Sequence, residues 1–383
     1  MDVAALPARE DDVADAVADA LRDGVKLAIV GGASKAAIGA DVEARALPMA
    51  GLGGVVDYDP AELVLTVRPG APLAEVRALL ADSGQMLAFE PFDHGPILGQ
   101  AAGGATIGGI VAAGVSGSQR VSAGAARDHL LGFRAVSGRG EIFAAGAKVV
   151  KNVTGYDLPK LAAGSWGRLF AMTELTLKVL PRPREAATRM LAGLDEAQAI
   201  RAMARAMGSQ AEVAAAAHLP AGVRGGESAT ILRVQGFGPS VAARCAMLEA
   251  LLAEFGSVRA PSAEEADAMW ESLRTLAPLG TGRSIWRVNV APSRAGAAVA
   301  PLHDADFLFD WAGGLIWVAT DADPAVVREA ASRAGGHATL VRADARVRAR
   351  VPAFHPPAAG MAALEQRVRR AFDPAGLFET GRF

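Results

Sequence analysis

The sequence predicts an α+β protein, and three observations carry that reading. The first half alternates short apolar strands with glycine-rich turns and helices. A proline stop at Pro181-Arg182-Pro183 then separates it from a stretch of different texture. That stretch, residues 184–344, sets amphipathic helices between apolar strands, the pattern of an antiparallel sheet with helices on one face.

In chain order, Glu10, Asp11 and Asp12 open a helix whose apolar face is Val13, Ala14, Val17, Ala18 and Leu21, with Gly24 as its stop. Residues 26–30 (KLAIV) read as a strand that breaks at once into Gly31-Gly32-Ala33-Ser34-Lys35. Residues 63–68 (LVLTVR) read as the next strand. Pro72 suits the first position of a helix that buries Leu73, Val76, Leu79 and Leu80. After a long glycine-rich run, residues 130–136 and 141–144 form a hairpin around Ser137-Gly138-Arg139-Gly140. Residues 170–180 alternate with period two. Beyond the proline stop, helices are expected at 196–207, 240–255, 263–276 and 323–334, and strands at 229–235, 285–290 and 314–320. The tail carries a basic helix (LEQRVRRAF) followed by DPAGLFETGRF.

Composition narrows the functions. Of 383 residues, 51% are hydrophobic and 21% charged, and the formal charge is −2, so no nucleic-acid footprint or polybasic membrane patch is expected. The single cysteine, Cys245, lies on the apolar stripe of a helix. It excludes an intramolecular disulfide, a Cys-ligated zinc site and an iron–sulfur cluster held by this chain alone. The six histidines are scattered without metal-ligand spacing, so no metal site is expected. The acidic N-terminus lacks the order of a signal peptide, and residues 101–117 are too short and too rich in glycine to span a membrane. A cytoplasmic protein is expected.

The chemistry concentrates in three places. The strand-to-Gly31–Lys35 turn can converge backbone N–H groups on an anion, with Ser34 and Lys35 as further donors. The second is the run from 101 to 117, which holds six glycines and no charge. Glycines let a backbone approach a ligand closely, and Thr106, between Gly104 and Gly108-Gly109, adds a hydroxyl. Two such segments suit a ligand with more than one phosphate or a large planar ring, the alternative being a close-packed glycine-rich core. The third, Lys151-Asn152-Val153-Thr154-Gly155-Tyr156-Asp157, packs a cation, an amide, a hydroxyl, a phenol and a carboxylate into one loop. Ser116 is not in a G-x-S-x-G elbow. Neither G-x-G-x-x-G nor a Walker motif is present, which argues against a nicotinamide-dependent reductase.

Taken together and in order, GGASKAAIG, VRPGAPLAEV, GGATIGGIVAAGVSGSQRVSAGAARDHLLG and KNVTGYDLPKLAAGSWGRLFAMTELTLKVLP resemble the FAD-binding domain of the vanillyl-alcohol oxidase (PCMH) type. IWRVNVAP, DWAGGLIWVAT, GGHATLVRA and FHPPAAGMAALEQRVRRAFDPAGLF extend the likeness, which is nearest to the E subunits of bacterial glycolate oxidase (glycolate dehydrogenase). The resemblance implies a two-subdomain FAD-binding domain at 1–183, an α+β cap or substrate domain with an antiparallel sheet at 184–344, and a C-terminal segment at 345–383 that returns to the FAD domain.

For the cofactor it implies that Val30, Gly31, Gly32, Ala33, Ser34 and Lys35 hold the pyrophosphate. Thr106, Gly108 and Gly109 would contact pyrophosphate and ribose, Ser116 and Gly117 would lie by the flavin ring, and Ala171 and Met172 would meet it through the backbone. Lys151, Asn152 and Tyr156 would line the substrate face. Lys151 or Arg287 would hold the carboxylate of a small 2-hydroxy acid, the catalytic base being unassigned, and the Gly381-Arg382 tail would fold over the cofactor. The first glycine loop has no histidine, so the FAD is expected to be non-covalent. No GDGN-x-H-type metal segment is present, and Phe378-Glu379-Thr380 stands where the family usually reads Asn-Pro. These departures leave two roles open: oxidation of glycolate by this chain, or support of a separate catalytic flavoprotein subunit and an iron–sulfur subunit. Membrane association is expected only through such partners.

Overall fold

The computed structural model describes residues 3–147 and 156–383. The chain divides into two compact units: Met1–Ser116, Gly124–Arg182 and Pro356–Phe383 in the first, Gly117–Ala123 and Pro183–His355 in the second.

The first unit begins with the helix Glu10–Asp23, closed by Gly24 in the left-handed conformation (φ 67°). Its start is held by the Asp12 carboxylate, which accepts the N–H groups of Ala8 and Arg9 at 2.9 and 2.8 Å. Val13, Val17 and Ala20, spaced by three and four residues, bury one face against Leu27, Leu47, Met49, Val136 and Ala171. Leu27–Val30 pairs in parallel with Arg45–Pro48. A separate five-stranded antiparallel sheet runs in the order Val55–Asp59, Val64–Val67, Phe170–Lys178, Leu130–Ser137, Ile142–Gly146. Pro72 is the N-cap of helix Leu73–Asp82, one position earlier than expected.

The C-terminal segment is part of this unit. Asp373 is buried, and its two carboxylate oxygens accept the N–H groups of Leu377 and Phe378, both at 2.8 Å. Leu27 N–H donates to the Leu377 carbonyl at 2.9 Å, which ties the tail to the start of the first strand.

The second unit is one eight-stranded antiparallel sheet in the order Val258–Arg259, Glu185–Ala192, Ala229–Gly236, Ala215–Leu219, Asp306–Asp310, Leu315–Thr320, Ser284–Asn289, His337–Arg342. Helices Glu196–Met207, Gly238–Leu252 and Pro324–Arg333 bury Ala202, Cys245 and Val327 in a core with Leu232, Trp286 and Ile316 of the sheet. Cys245 is therefore a core residue. The expectation of helices on one face alone needs correcting. Helix Ala263–Thr275 lies on the opposite face, where Trp270 Nε1 donates to Thr188 Oγ1 at 3.1 Å and the Arg233 guanidinium sits 4.6 Å from the centroid of the Trp270 ring. Leu232 and Val234 point to the core while Arg233 between them does not, as strand alternation requires. Among the described residues no helix is long and apolar enough to cross a membrane.

Candidate functional site

The strand Leu27–Val30 delivers residues 31–35 to the rim of a cavity of about 530 Å³ in the first unit. Ala33 takes φ 58°, a left-handed residue in the middle of the turn. The backbone N–H groups of residues 31–35 donate to no other described residue. Successive unspent N–H groups around a left-handed residue form an anion-binding concavity. Ser34 Oγ lies 3.5 Å from Lys35 Nζ. Burial lowers the Lys35 ammonium to about 8, although Asp93 pulls the other way. A cation set among apolar atoms without an ion pair favours an anion arriving from outside.

The glycine-rich run lies directly against this turn. A Cβ on Gly32 would overlap the Gly104 carbonyl oxygen, and one on Gly31 would stand 2.5 Å from Thr106 Oγ1. Two backbones meet here at a distance that excludes side chains, which accounts for the glycines. The run then forms the helix Ile107–Ala113, with Thr106 as N-cap accepting Gly109 N–H at 3.3 Å. Gly108 is packed on Pro69, whose Cβ a new Cβ would approach to 2.6 Å. Gly109 faces the cavity, where a Cβ would stand 4.0 Å from Lys35 Nζ.

Ten of the thirteen residues expected to bind cofactor line this cavity: Val30, Gly31, Gly32, Ala33, Ser34, Lys35, Thr106, Gly108, Gly109 and Met172. The other three lie elsewhere. Ser116 Oγ accepts Ala126 N–H at 3.0 Å. Ala171 is fully buried against the first helix. Gly117 belongs to the second unit, where its carbonyl accepts from Trp311 Nε1 at 2.9 Å. Of the substrate-face candidates, Tyr156 is 91% exposed, while Lys151 and Asn152 lie outside the described residues.

Arg287 stands in the second unit on the strand Ser284–Asn289. The Arg120 and Arg287 guanidinium groups lie over the Trp311 ring, 4.2 and 5.1 Å from its centroid. Burial, then the neighbouring Arg120 charge, lowers Arg287 to about 10, with Asp310 opposing. Among the described residues no cluster of three or more His, Cys, Asp or Glu could hold a metal.

Sequence reasoning missed two aromatic walls, Trp166 and Phe383, whose rings meet at 5.2 Å and 62° beside the cavity. The tail is fastened there by Arg382, which donates to the carbonyls of Lys35, Ala36 and Ile38 at 2.7, 2.6 and 2.8 Å. In return Ala40 N–H donates to the Arg382 carbonyl at 2.9 Å. The resemblance places the Gly381-Arg382 tail at the cofactor, whereas no local pattern announces a contact across more than 340 residues. The remaining walls are apolar, Ile29, Met49, Ala112 and Phe170 among them. Anion donors at one end and an apolar slot beyond suit an elongated ligand carrying phosphate and a flat ring system.

Comparison with known proteins agrees with that chemistry. Residues 1–146 match the model of an FAD binding domain. The chain is 34% identical over 384 residues to the glycolate oxidase subunit GlcE of Escherichia coli K12, covering 98% of each chain. The glycolate oxidase subunit GlcD of Bacillus subtilis 168 is 31% identical over 129 residues, 34% of this chain and 26% of that one. Among solved structures, p-cresol methylhydroxylase with substrate bound superposes with a TM-score of 0.73 at 14% identity, covering 98% of this chain and 87% of that one. This last likeness establishes the fold: the PCMH-type, two-part α+β architecture.

Proposed function

Because this chain belongs to the family of the glycolate oxidase subunit GlcE and carries an FAD binding domain, we propose that it is the FAD-holding subunit of a glycolate dehydrogenase complex and oxidises glycolate to glyoxylate. The observation that carries the reading is the 31–35 turn, with five unspent N–H groups beside a half-buried lysine that has no ion pair, at the mouth of a mostly apolar cavity.

The residues present fit FAD. The turn N–H groups and Lys35 would hold the diphosphate, since charge-assisted hydrogen bonds from a fixed backbone favour a dianion at little entropic cost. Gly31, Gly32 and Gly104 keep that backbone close. Thr106 would add a hydroxyl, while Met172 and the aromatic walls exclude water from the slot. Bound FAD would supply a two-electron acceptor for the hydride leaving C2 of the hydroxy acid. The turn GGASKAAIG offers no histidine, cysteine or tyrosine for a covalent link, so the flavin is held non-covalently. We further propose that a catalytic flavoprotein subunit and an iron–sulfur subunit are its partners, and that it sits in the cytoplasm and meets the membrane only through them.

The test is the flavin itself. Purified chain reconstituted with FAD should absorb at about 450 nm, and denaturing precipitation should leave all of the flavin in the supernatant. A chain that stays colourless after reconstitution would remove the proposal, and flavin in the pellet would overturn the non-covalent link.

A further inference from the structure

We propose that the outer face of the helix Ala359–Phe372 docks a partner subunit through a surface that sets carboxylates beside an apolar recess. The inference rests on the multi-subunit complex proposed above and concerns the first unit alone.

The helix runs for 14 residues without burying one of them, and it belongs to the first unit. Its attachment is one-sided. Ala362, Glu365, Arg369 and Phe372, spaced by three and four residues, are half-buried and share one face. On that face the Phe372 ring lies 5.1 and 5.8 Å from the rings of Phe170 and Phe143, and its carbonyl accepts Gly138 N–H at 3.0 Å. On the other side Ala363, Leu364, Arg367 and Arg370 form an exposed stripe, with Met361 at its border. Met361 is 59% exposed and Leu364 45%. A helix at the surface of a globular unit turns its large apolar residues to the core, and here two of them face away from it.

The free charge of the stripe is positive. Glu365 is held between Arg168, at 3.2 Å, and Arg369. Beyond the helix, Glu379 pairs with Arg369 at 3.6 Å, and Asp373 spends both oxygens on the N–H groups of Leu377 and Phe378. Arg367 and Arg370 form no hydrogen bond or ion pair with any described residue. Arg139, whose guanidinium donates to the Ala371 carbonyl at 2.8 Å, adds a third cation at the end of the helix. Arginines near a helix C-terminus gain from its dipole, which accounts for the cations but not for the leucine and methionine beside them. A complementary surface brings carboxylates to the C-terminal half of the stripe and an apolar recess to its N-terminal half.

That chemistry selects another protein as the occupant. Methionine and arginine are among the residue types enriched where proteins meet. Met361 and Leu364 together carry about seven side-chain carbons, fewer than a single myristoyl chain, which alone holds a protein to a bilayer only marginally. A lipid surface is therefore a poor occupant. A second copy of the stripe is poorer, because it adds two more guanidinium groups and no free carboxylate. Against a subunit of opposite charge, burial of Met361 and Leu364 supplies the apolar contact, while the arginines steer the encounter and fix its register.

Sedimentation velocity of the full FAD-loaded chain with the catalytic flavoprotein subunit and the iron–sulfur subunit proposed above tests the face. Arg367→Glu combined with Arg370→Glu should weaken assembly about 30-fold or more, and Leu364→Ser about 10-fold, while FAD content and Tm stay at their wild-type values. Raising salt from about 0.05 to 0.5 M should weaken the wild-type complex more steeply than the charge-reversed one, because exposed charge pairs are screened. If the double variant does not fold, Leu364→Ser and the wild-type salt titration still decide. Undiminished assembly of the variants would overturn the docking face and leave the complex standing. A wild-type chain that joins neither subunit would overturn the complex and the face together. Binding of the wild type to phosphatidylserine vesicles, lost in the double variant, would assign the stripe to lipid and overturn the proposal.

Discussion

Replacing Gly32 with alanine probes the place where the two glycine segments meet. The new Cβ would overlap the Gly104 carbonyl oxygen and stand 2.9 Å from its carbon, with Thr106 Cγ2 at 3.2 Å. Two of the three neighbours are backbone, so no side-chain rotation relieves the clash, and the segments must part by about 1 Å to restore ordinary contact. Hydrogen bonds from the turn N–H groups to a diphosphate are charge-assisted and worth about 1.5–3 kcal/mol each. Weakening two of them by such a shift costs about 3 kcal/mol, or about 100-fold in Kd. Quenching of FAD fluorescence on titration with apoprotein measures that constant. Gly222→Ala is the control, because nothing lies within 4 Å of its Cβ and it sits in the second unit. An unchanged FAD affinity in a folded Gly32→Ala protein would refute the assignment of the turn.

Three further outcomes are expected. Gly109→Leu places a side chain in the cavity towards Lys35, so FAD retention should be lost while Tm, read by circular dichroism, is kept or raised, since leucine exceeds glycine in helix propensity by about 0.8 kcal/mol. Lys35, lowered to about 8 by burial, is charged below that pH and neutral above it in the apoprotein. FAD affinity should therefore fall as pH rises through 8 towards the free-lysine value, by up to about tenfold per unit, and Lys35→Met should flatten the profile. The sign for folding is the reverse. The unfolded chain binds the extra proton between about 8 and 10.5, so apoprotein stability rises with pH across that window, which urea titrations read. Arg382→Ala removes three hydrogen bonds to the turn, and stopped-flow release should show FAD leaving about 10- to 100-fold faster, at about 1 kcal/mol or less of net loosening per bond.

What the sequence made legible, and what it hid, follows from where the information lies. The helix Glu10–Asp23 and the turn after Leu27–Val30 are local: acidic first turn, apolar spacing, terminal glycine, strand then double glycine. The helix Ile107–Ala113 was hidden because its glycines are poor helix formers, and tertiary packing on Pro69 overrides propensity there. Ala215–Leu219 was hidden for the converse reason. Alanine favours helices, yet the strand is buried along its whole length between two others. Glu185–Ala192 carries Thr188, and His337–Arg342 carries His337 and Thr339, on the face away from the helices, and Arg189 interrupts the helix face itself by pairing with Glu249 at 2.7 Å, so their apolar period was faint. The resemblance anticipated the Gly381-Arg382 tail over the cofactor but not which carbonyls Arg382 clasps, and the Trp166–Phe383 wall depends on contacts distant in sequence that only the fold brings to the cavity.

The most direct test of the account is anaerobic addition of glycolate to the FAD-loaded chain while the flavin band at about 450 nm is followed, alone and with its co-purified subunits. Hydride transfer to flavin held in this cavity predicts bleaching of the band by the isolated chain, with one glyoxylate formed per flavin reduced. A band that glycolate leaves unchanged in the isolated chain would contradict it, and bleaching only with the subunits present would move the oxidation to a partner.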